Sequence, residues 1–285
     1  SYLISLGRID AARLPPVRAG HEVVGEVVTT PAAATGLRAG TPVVAGAADH
    51  VASAFVAGVQ APGDLLIKFG GAGDVLLATA EPRPDARLFL DFHLVPGLYL
   101  PNGCMVTSGS LLNWFVRTIG TGAPVAPDGT PHAALDRLAA ATPPGAEGLV
   151  MLPYFLGEKT PIHDPTARGT LVGLGLHHDT GHLWRAALEA VCFGFRHHVE
   201  VARDIGYPVT RVLAADGGTR SALWMETAAS VLGLPVQLLE GHPGSCLGAA
   251  YVAGVGVGAF ADWRQMTRFV QPAATVDPEP AAVPV

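Results

Sequence analysis

Read for hydrophobic and polar positions, the chain divides into short apolar runs separated by glycine- and proline-bearing turns. Val23-Val24-Gly25-Glu26-Val27-Val28 alternates as a half-buried strand does, and the small-residue stretch Ala32 to Leu37 follows it. The turn at Ala39-Gly40-Thr41-Pro42 opens a short apolar strand that ends in small residues and delivers Asp49. The Ala- and Val-rich text from His50 to Gly58 predicts a helix with Asp49 as its N-cap. Leu65 to Phe69 is the next strand, running into the glycine turn Gly70-Gly71-Ala72-Gly73.

Further along, strands are predicted around Leu98 to Leu100, from Gly148 to Phe155, and at Thr170 to Leu176, Arg211 to Ala215 and Pro235 to Leu239. Helices are predicted from Gly109, near residues 132–140, from His182 to Ile205, from Arg220 to Leu232, and from Ser245 to Ala259. Along the long helix, Leu183, Ala187, Val191, Gly194 and His198 share one face. Strands alternating with helices predict an α/β fold. The stiff polar crossing Glu81-Pro82-Arg83-Pro84-Asp85 reads as a boundary between a first unit, 1–80, and a second, 81–270. The Pro- and Ala-rich tail, 271–285, reads as lacking fixed structure.

Composition narrows the function classes. Of 285 residues, 49% are hydrophobic, so the chain can bury a full core, and disorder is excluded as a description of the whole. Its formal net charge of -6 offers no basic stripe for a phosphate backbone, which argues against nucleic acid as a partner and for small polar metabolites. The text has neither a long unbroken apolar run nor a leader pattern, so the expectation is a cytoplasmic protein without a membrane partner. Cys104, Cys192 and Cys246 are odd in number and far apart, which predicts reduced, buried thiols. The chain opens at Ser1 in structured text, and the expectation is that it is a piece of something longer.

The familiar phosphate cradles are absent: Lys159-Thr160 follows Glu158 rather than glycine, and no glycine triplet completes a dinucleotide fingerprint. Three junctions read as strand-turn-helix cradles whose backbone amides would meet an anion. They are Gly70 to Gly73, the entry at Gly109, and Asp216-Gly217-Gly218-Thr219. With Asp49 close by in the text, a base and an anion cradle come side by side. His178 and His182 at helical spacing, and the pairs His177-His178 and His197-His198, invite a metal reading. No cysteine or glutamate completes a set, and solvated or capping histidines are expected.

Gly169-Thr170-Leu171-Val172-Gly173-Leu174, followed after a gap by His182-Leu183-Trp184-Arg185-Ala186-Ala187-Leu188-Glu189, resembles the second consensus pattern of the FGGY carbohydrate kinases. Pro153 to Pro161 with Asp164 to Gly169 is similar to the block of the xylulokinase-like members. Asp216-Gly217-Gly218-Thr219-Arg220-Ser221 resembles their adenosine-binding turn, and Leu247-Gly248-Ala249-Ala250 their last helix.

That resemblance implies a ribonuclease-H-like fold of the sugar kinase, actin and Hsp70 type, with two domains closing on ATP and sugar. It also implies that only the end of the first domain and the whole second domain are present here. By the same resemblance, Asp49 is the catalytic base that takes the proton of a sugar hydroxyl. Gly70, Gly71, Ala72 and Gly73 face the terminal phosphates, Gly109 precedes a helix near the nucleotide, and Gly217, Gly218 and Ser221 lie on the adenosine side. Most members carry Gly-Thr-Ser where this chain has Gly70-Gly71-Ala72, so no hydroxyl is available there.

The implied activity is ATP- and Mg²⁺-dependent phosphorylation of a ketopentose such as xylulose, or of a related sugar or polyol. Phosphoryl transfer needs a positioned carboxylate and neutralised phosphate charge, so the chemistry agrees with the pattern. The sugar and the oligomeric state stay open, with a homodimer among the options. A non-catalytic sensor of the same fold and a truncated remnant with an exposed apolar face near Val23 to Val28 and Val43 to Ala45 are the competing readings.

Overall fold

Leu65, Ile67 and Phe69 alternate with Leu66 along β3 (Asp64–Phe69), and both sets are buried. A strand buried on both faces belongs in the interior of a sheet covered on both sides. In the computed structural model, which describes residue 7 and residues 10–122, 129–239, 241, 244–270 and 272–280, that is its position. Parallel to it lies β9 (Arg211–Ala215), and antiparallel on its other side lies β4 (Gly73–Leu77). The seven-stranded sheet continues through β6 (Tyr99–Met105) to β5 (Phe89–Phe92) at one edge. At the other edge stand β10 (Val236–Leu239), parallel to β9, and β11 (Pro272–Val276), antiparallel to β10.

Period-two alternation sends the two sets of side chains into different cores. Leu65, Ile67, Phe69, Val75, Val212 and Ala214 pack under α3 (Gly109–Thr118), α4 (Pro131–Ala140), α5 (Thr180–Ile205) and α6 (Ala222–Leu232). Leu66, Leu76, Leu100, Leu213 and Ala215 pack under α2 (Asp49–Val56). Behind α2, Phe55 and Val56 join Tyr251 of α7 (Gly244–Gly256) and Met266. Each fully buried Leu, Ile or Phe in these clusters contributes roughly 1.5–3 kcal/mol.

The longest helix, α5, starts where its capping chemistry dictates. The Asp179 carboxylate accepts from the amides of Gly181 and His182, while the His182 ring reaches back to the Asp179 amide. A cap of this kind contributes about 1 kcal/mol. The helix stops at Gly206, whose φ of 90° suits a glycine. Two small antiparallel pairs stand apart from the main sheet. They are β1 (Val23–Glu26) with β2 (Pro42–Val44), linked through α1 (Thr29–Thr35), and β7 (Val150–Leu152) with β8 (Thr170–Val172).

Several sequence expectations are corrected here. The crossing at Glu81 to Asp85 does not separate two units, because β3 and β4 before it share one sheet with β5 and β6 after it. It is a surface connection pinned to the end of α5: the Arg83 amide donates to the Tyr207 hydroxyl at 2.7 Å, and the Arg83 guanidinium donates to the Ile205 carbonyl at 3.2 Å. The tail expected to be without structure contributes β11, with Val276 opposite Val236 and Thr275 opposite Gln237. Open hydrogen-bonding groups on the β10 edge recruit it despite its weak strand propensity. Gly70 to Ala72 closes a β3–β4 hairpin and is not a strand-to-helix turn. Asp49 is the first residue inside α2, and the cap position falls to Ala48. Cys246 is exposed, although all three thiols are free, and His198 is buried, not solvated.

Candidate active site

Three separate glycine turns meet at the end of the sheet. Gly70 and Gly71 from the β3–β4 hairpin, Gly109 from the start of α3, and Gly217, Gly218 and Ser221 between β9 and α6 line one cavity of about 670 Å³. The hairpin and the helix entry are laced together: the amides of Ser108 and Ser110 donate to the Gly71 carbonyl, and that of Gly109 donates to the Gly70 carbonyl at 2.8 Å. A Cβ on Gly109 would stand 2.7 Å from that carbonyl, so this approach requires glycine. The amides expected to await an anion at the α3 entry are therefore spent on the hairpin. Those of the hairpin itself are the donors left at this wall.

Ala72 and Gly73 do not line the cavity. Gly73 begins β4, where a Cβ would come within 2.6 Å of the Phe195 ring, so it serves packing. Gly218 is equally constrained, with Phe69 Cβ and the Phe69 carbonyl 2.6 and 2.9 Å from where a Cβ would sit. Ser221 caps α6 by accepting from the Trp224 amide, and its hydroxyl donates to Asp136 Oδ2 at 2.7 Å. Asp136 Oδ1 accepts from Trp184 Nε1 at 2.7 Å, which ties the consensus tryptophan of α5 to α4.

Asn113, His132, Asp136, Trp184, Arg220 and Trp224 also line the cavity, and of these the sequence reading placed only Arg220 in a binding turn. The capping Ser221 and the consensus Trp184 were visible, but their shared partner Asp136 is distant in sequence and became evident only through packing.

Asp49 is not among the cavity residues; it stands at the N-terminus of α2, with its side chain 88% exposed. The backbone amide of His50, at 2.7 Å, and then its imidazole hold the Asp49 carboxyl below the usual carboxylate range. The positive charge of Lys68 acts in the same direction from further away. Lys68 itself, unassigned by the sequence reading, faces Asp74 at 3.5 Å across the hairpin and Asp216 at 3.8 Å. Asp216 adopts φ 76°, a left-handed conformation unusual for a non-glycine residue, at the entry to the Gly217-Gly218 turn.

A cysteine nucleophile has no support: burial pushes the Cys104 thiol up to about 11 and raises that of Cys192 as well. His182 serves the α5 cap and His178 accepts from the Gly175 amide, roles that account for both histidines.

Comparison with known proteins bears on this geometry. Residues 65–257 match the family described as FGGY family of carbohydrate kinases, C-terminal domain. The match begins at β3, in agreement with a sheet that starts there. The chain is 31% identical over 277 residues to the xylulose kinase of Bacillus subtilis, covering 95% of this chain and 54% of that protein. It is also 31% identical over 216 residues to the gluconokinase of the same organism, covering 73% and 42%. The crystal structure of xylulose kinase from Rhodospirillum rubrum superposes with a TM-score of 0.89 at 52% identity, over 99% of this chain and 56% of that one. The chain thus spans about half the length of the relatives it matches, and its sheet is the ribonuclease-H-like sheet of the sugar kinases. On the glycine turns, the capped α5 and the matched span together, the chain belongs to the FGGY family of carbohydrate kinases.

Proposed function

We propose that this chain is the nucleotide-binding half, together with the base-bearing edge, of an ATP-dependent kinase that phosphorylates xylulose or a related sugar or polyol in the cytoplasm. The observation that carries the proposal is the convergence of Gly70, Gly71, Gly109, Gly217, Gly218 and Ser221 on one cavity, with Asp49 on a neighbouring element. The cavity fits a nucleotide: its wall combines close-approach glycines with the aromatic rings of Trp184 and Trp224. Among the described residues no group of three His, Cys, Asp or Glu is placed to hold a metal. That suits Mg²⁺, which arrives largely hydrated and bound to phosphates, with one or two carboxylates sufficing. Asp74, just after the hairpin on β4, and Asp216, whose Oδ2 lies 3.2 Å from where a Cβ on Gly70 would sit, are carboxylates beside the hairpin wall.

When bound, the magnesium nucleotide supplies the γ-phosphoryl group and neutralises its charge. The residues do the rest. The hairpin amides orient the anion, Lys68 sets a cation between Asp74 and Asp216 beside the hairpin, and Asp49 accepts the proton of the attacking hydroxyl.

The test is turnover of the natural full-length protein with ATP and ketopentoses or polyols. Asp49→Asn is expected to lower kcat by roughly 10²- to 10⁴-fold while nucleotide binding persists. A protein that binds no nucleotide and phosphorylates none of these acceptors would overturn the proposal. The sensor reading rests on Gly71-Ala72, which offers no hydroxyl to the phosphates. It requires an Asp49→Asn variant that keeps its full ligand response in a protein without turnover.

A further inference from the structure

His50 lies next to Asp49 in sequence, but its ring belongs to a different contact. Its Nε2 stands 2.8 Å from Asp91 Oδ2 on β5, forty-one positions away. That same oxygen accepts from Asn102 Nδ2 at 2.9 Å, and Asn102, on β6, is buried. Asn102 also donates to the Leu100 carbonyl at 3.0 Å, so the amide is fixed by two acceptors. β5 and β6 pair Asp91 with Leu100, which sets the carboxylate in register with its amide partner. The other ring nitrogen, Nδ1, is 3.5 Å from Asp49 Oδ1, which already accepts from the His50 amide. A chain of contacts therefore runs from a buried amide on the sheet, through a carboxylate and an imidazole, to the exposed carboxylate at the tip of α2.

Building on the reading of Asp49 as the base, we infer that His50 is its positioning residue: clamped by Asp91 and Asn102, the ring holds the Asp49 carboxylate in one orientation. The chemistry is that of an imidazole between two carboxylates. With Nε2–H donated to Asp91, the opposite ring nitrogen faces the Asp49 carboxylate, so one ring meets both carboxylates.

Asp49 needs such a partner because its side chain is almost wholly exposed and α2 offers it only a backbone amide. A carboxylate free to rotate would be misplaced for much of the time, and misplacement by about 1 Å costs on the order of 10²-fold in rate. The charged groups acting on this unit are Asp49 and His50 on α2, Asp91 on β5 and, at longer range, Lys68 on β3. The Asp49 carboxyl is held below the usual carboxylate range first by the His50 amide and next by its ring, which agrees with the geometry.

A purely structural tie between α2 and β5 makes a different prediction, and pH separates the two. In the natural full-length protein, His50→Gln keeps an amide donor for Asp91 and removes the imidazole. The expected result is a fall in kcat of roughly 10- to 100-fold, an unchanged KM for ATP, and an acid-side limb of kcat moved to higher pH. Asp91→Asn is expected to move the limb in the same direction.

Carboxyl-carbon NMR, with Asp49 assigned by difference from Asp49→Asn, should show the Asp49 midpoint rising in His50→Gln. That readout does not depend on turnover. If kcat falls in both variants with neither limb nor midpoint moved, His50 is a structural tie and the inference fails alone. If Asp49→Asn keeps full turnover, or the unsubstituted protein has none, the reading of Asp49 as base fails and the inference with it.

Discussion

Gly71 and Gly218 line the same cavity under opposite constraints. No atom lies within 4 Å of a Cβ built on Gly71, whereas one on Gly218 would press into Phe69. Gly218→Ala is therefore expected to cost roughly 1–3 kcal/mol, because Phe69 is held between Phe195 and Trp224 and has no room to yield. Nucleotide binding should be lost with it, since the displaced turn carries Gly217 and Ser221. Gly71→Ala should leave the melting temperature within about 2 °C. Thermal melts and nucleotide titrations of the two variants decide the matter, and equal losses would contradict it. Both glycines were legible as candidates from the sequence. Which of them is packed and which is open depends on Phe69, which lies on β3 and is brought beside the turn after β9 by the β3–β9 register.

At the scale of elements, α2 carries Asp49 and is positioned by α7. A Cβ on Gly248 would stand 2.6 Å from the Ala52 carbonyl, so the helices cross at backbone contact. Gly248→Val forces them apart, and the tip of α2 moves with them. The expected outcome is a fall in kcat of about 10²-fold with the KM for ATP held, because the cavity lies under the opposite face of the sheet. A raised KM with unchanged kcat would show that α7 serves the nucleotide instead. This crossing is the physical content of the Leu247-Gly248-Ala249-Ala250 resemblance: the pattern was visible, but its partner was not.

α5 supplies a second element-scale prediction. His198 is buried, its Nδ1 donating to the Gly194 carbonyl at 2.8 Å and its Nε2 3.0 Å from the Thr160 hydroxyl. Burial lowers it to about 4 from 6.5, and does the same to His93. A histidine whose folded value is depressed stays neutral in the native state while the unfolded chain takes up protons. Its stabilising contribution is therefore present above 6.5 and is lost as pH falls toward 4. Each group removes up to about 1.4 kcal/mol per pH unit in that window. Urea unfolding between pH 7 and 4.5 should show this slope, flattened in His198→Gln; an identical slope in the variant would refute the assignment. His198 was expected to be solvated or capping because no metal-binding set surrounds it, whereas the helical spacing that places it on one face with Val191 turns it inward.

For the whole molecule, the β1–β2 pair leaves apolar surface uncovered. Val23, Val24 and Val43 are exposed on its two strands and Val28 at the cap of α1, and neither strand joins a larger sheet among the described residues. Such apolar surface marks a contact or an association site. With the chain spanning about half the length of its relatives, the proposed cover is the remainder of the sugar-binding domain. The 285-residue chain alone is then expected to bind nucleotide, to bind a hydrophobic dye more strongly than the natural full-length protein, and to show no measurable sugar phosphorylation. Robust turnover by the chain alone would overturn this reading. Among the described residues no helix is long and apolar enough to cross a membrane.

Local chemistry determined much of this protein directly from its sequence. Short continuous apolar runs fixed the central strands, Asp179 and Gly206 fixed the ends of α5, and the glycine turns marked themselves because backbone geometry and close approach leave few alternatives. Tertiary structure alone decided the features that depend on distant partners. The strand at 272–276 exists because β10 has an open edge. The crossing at 81–85 lies inside one sheet because β4 pairs with β6 beyond it. Asp136 and Asn102 matter through side chains far away in sequence. Spacing along a chain reports the forces between near neighbours; pairing, burial and the company of a charge are set only when the sheet closes.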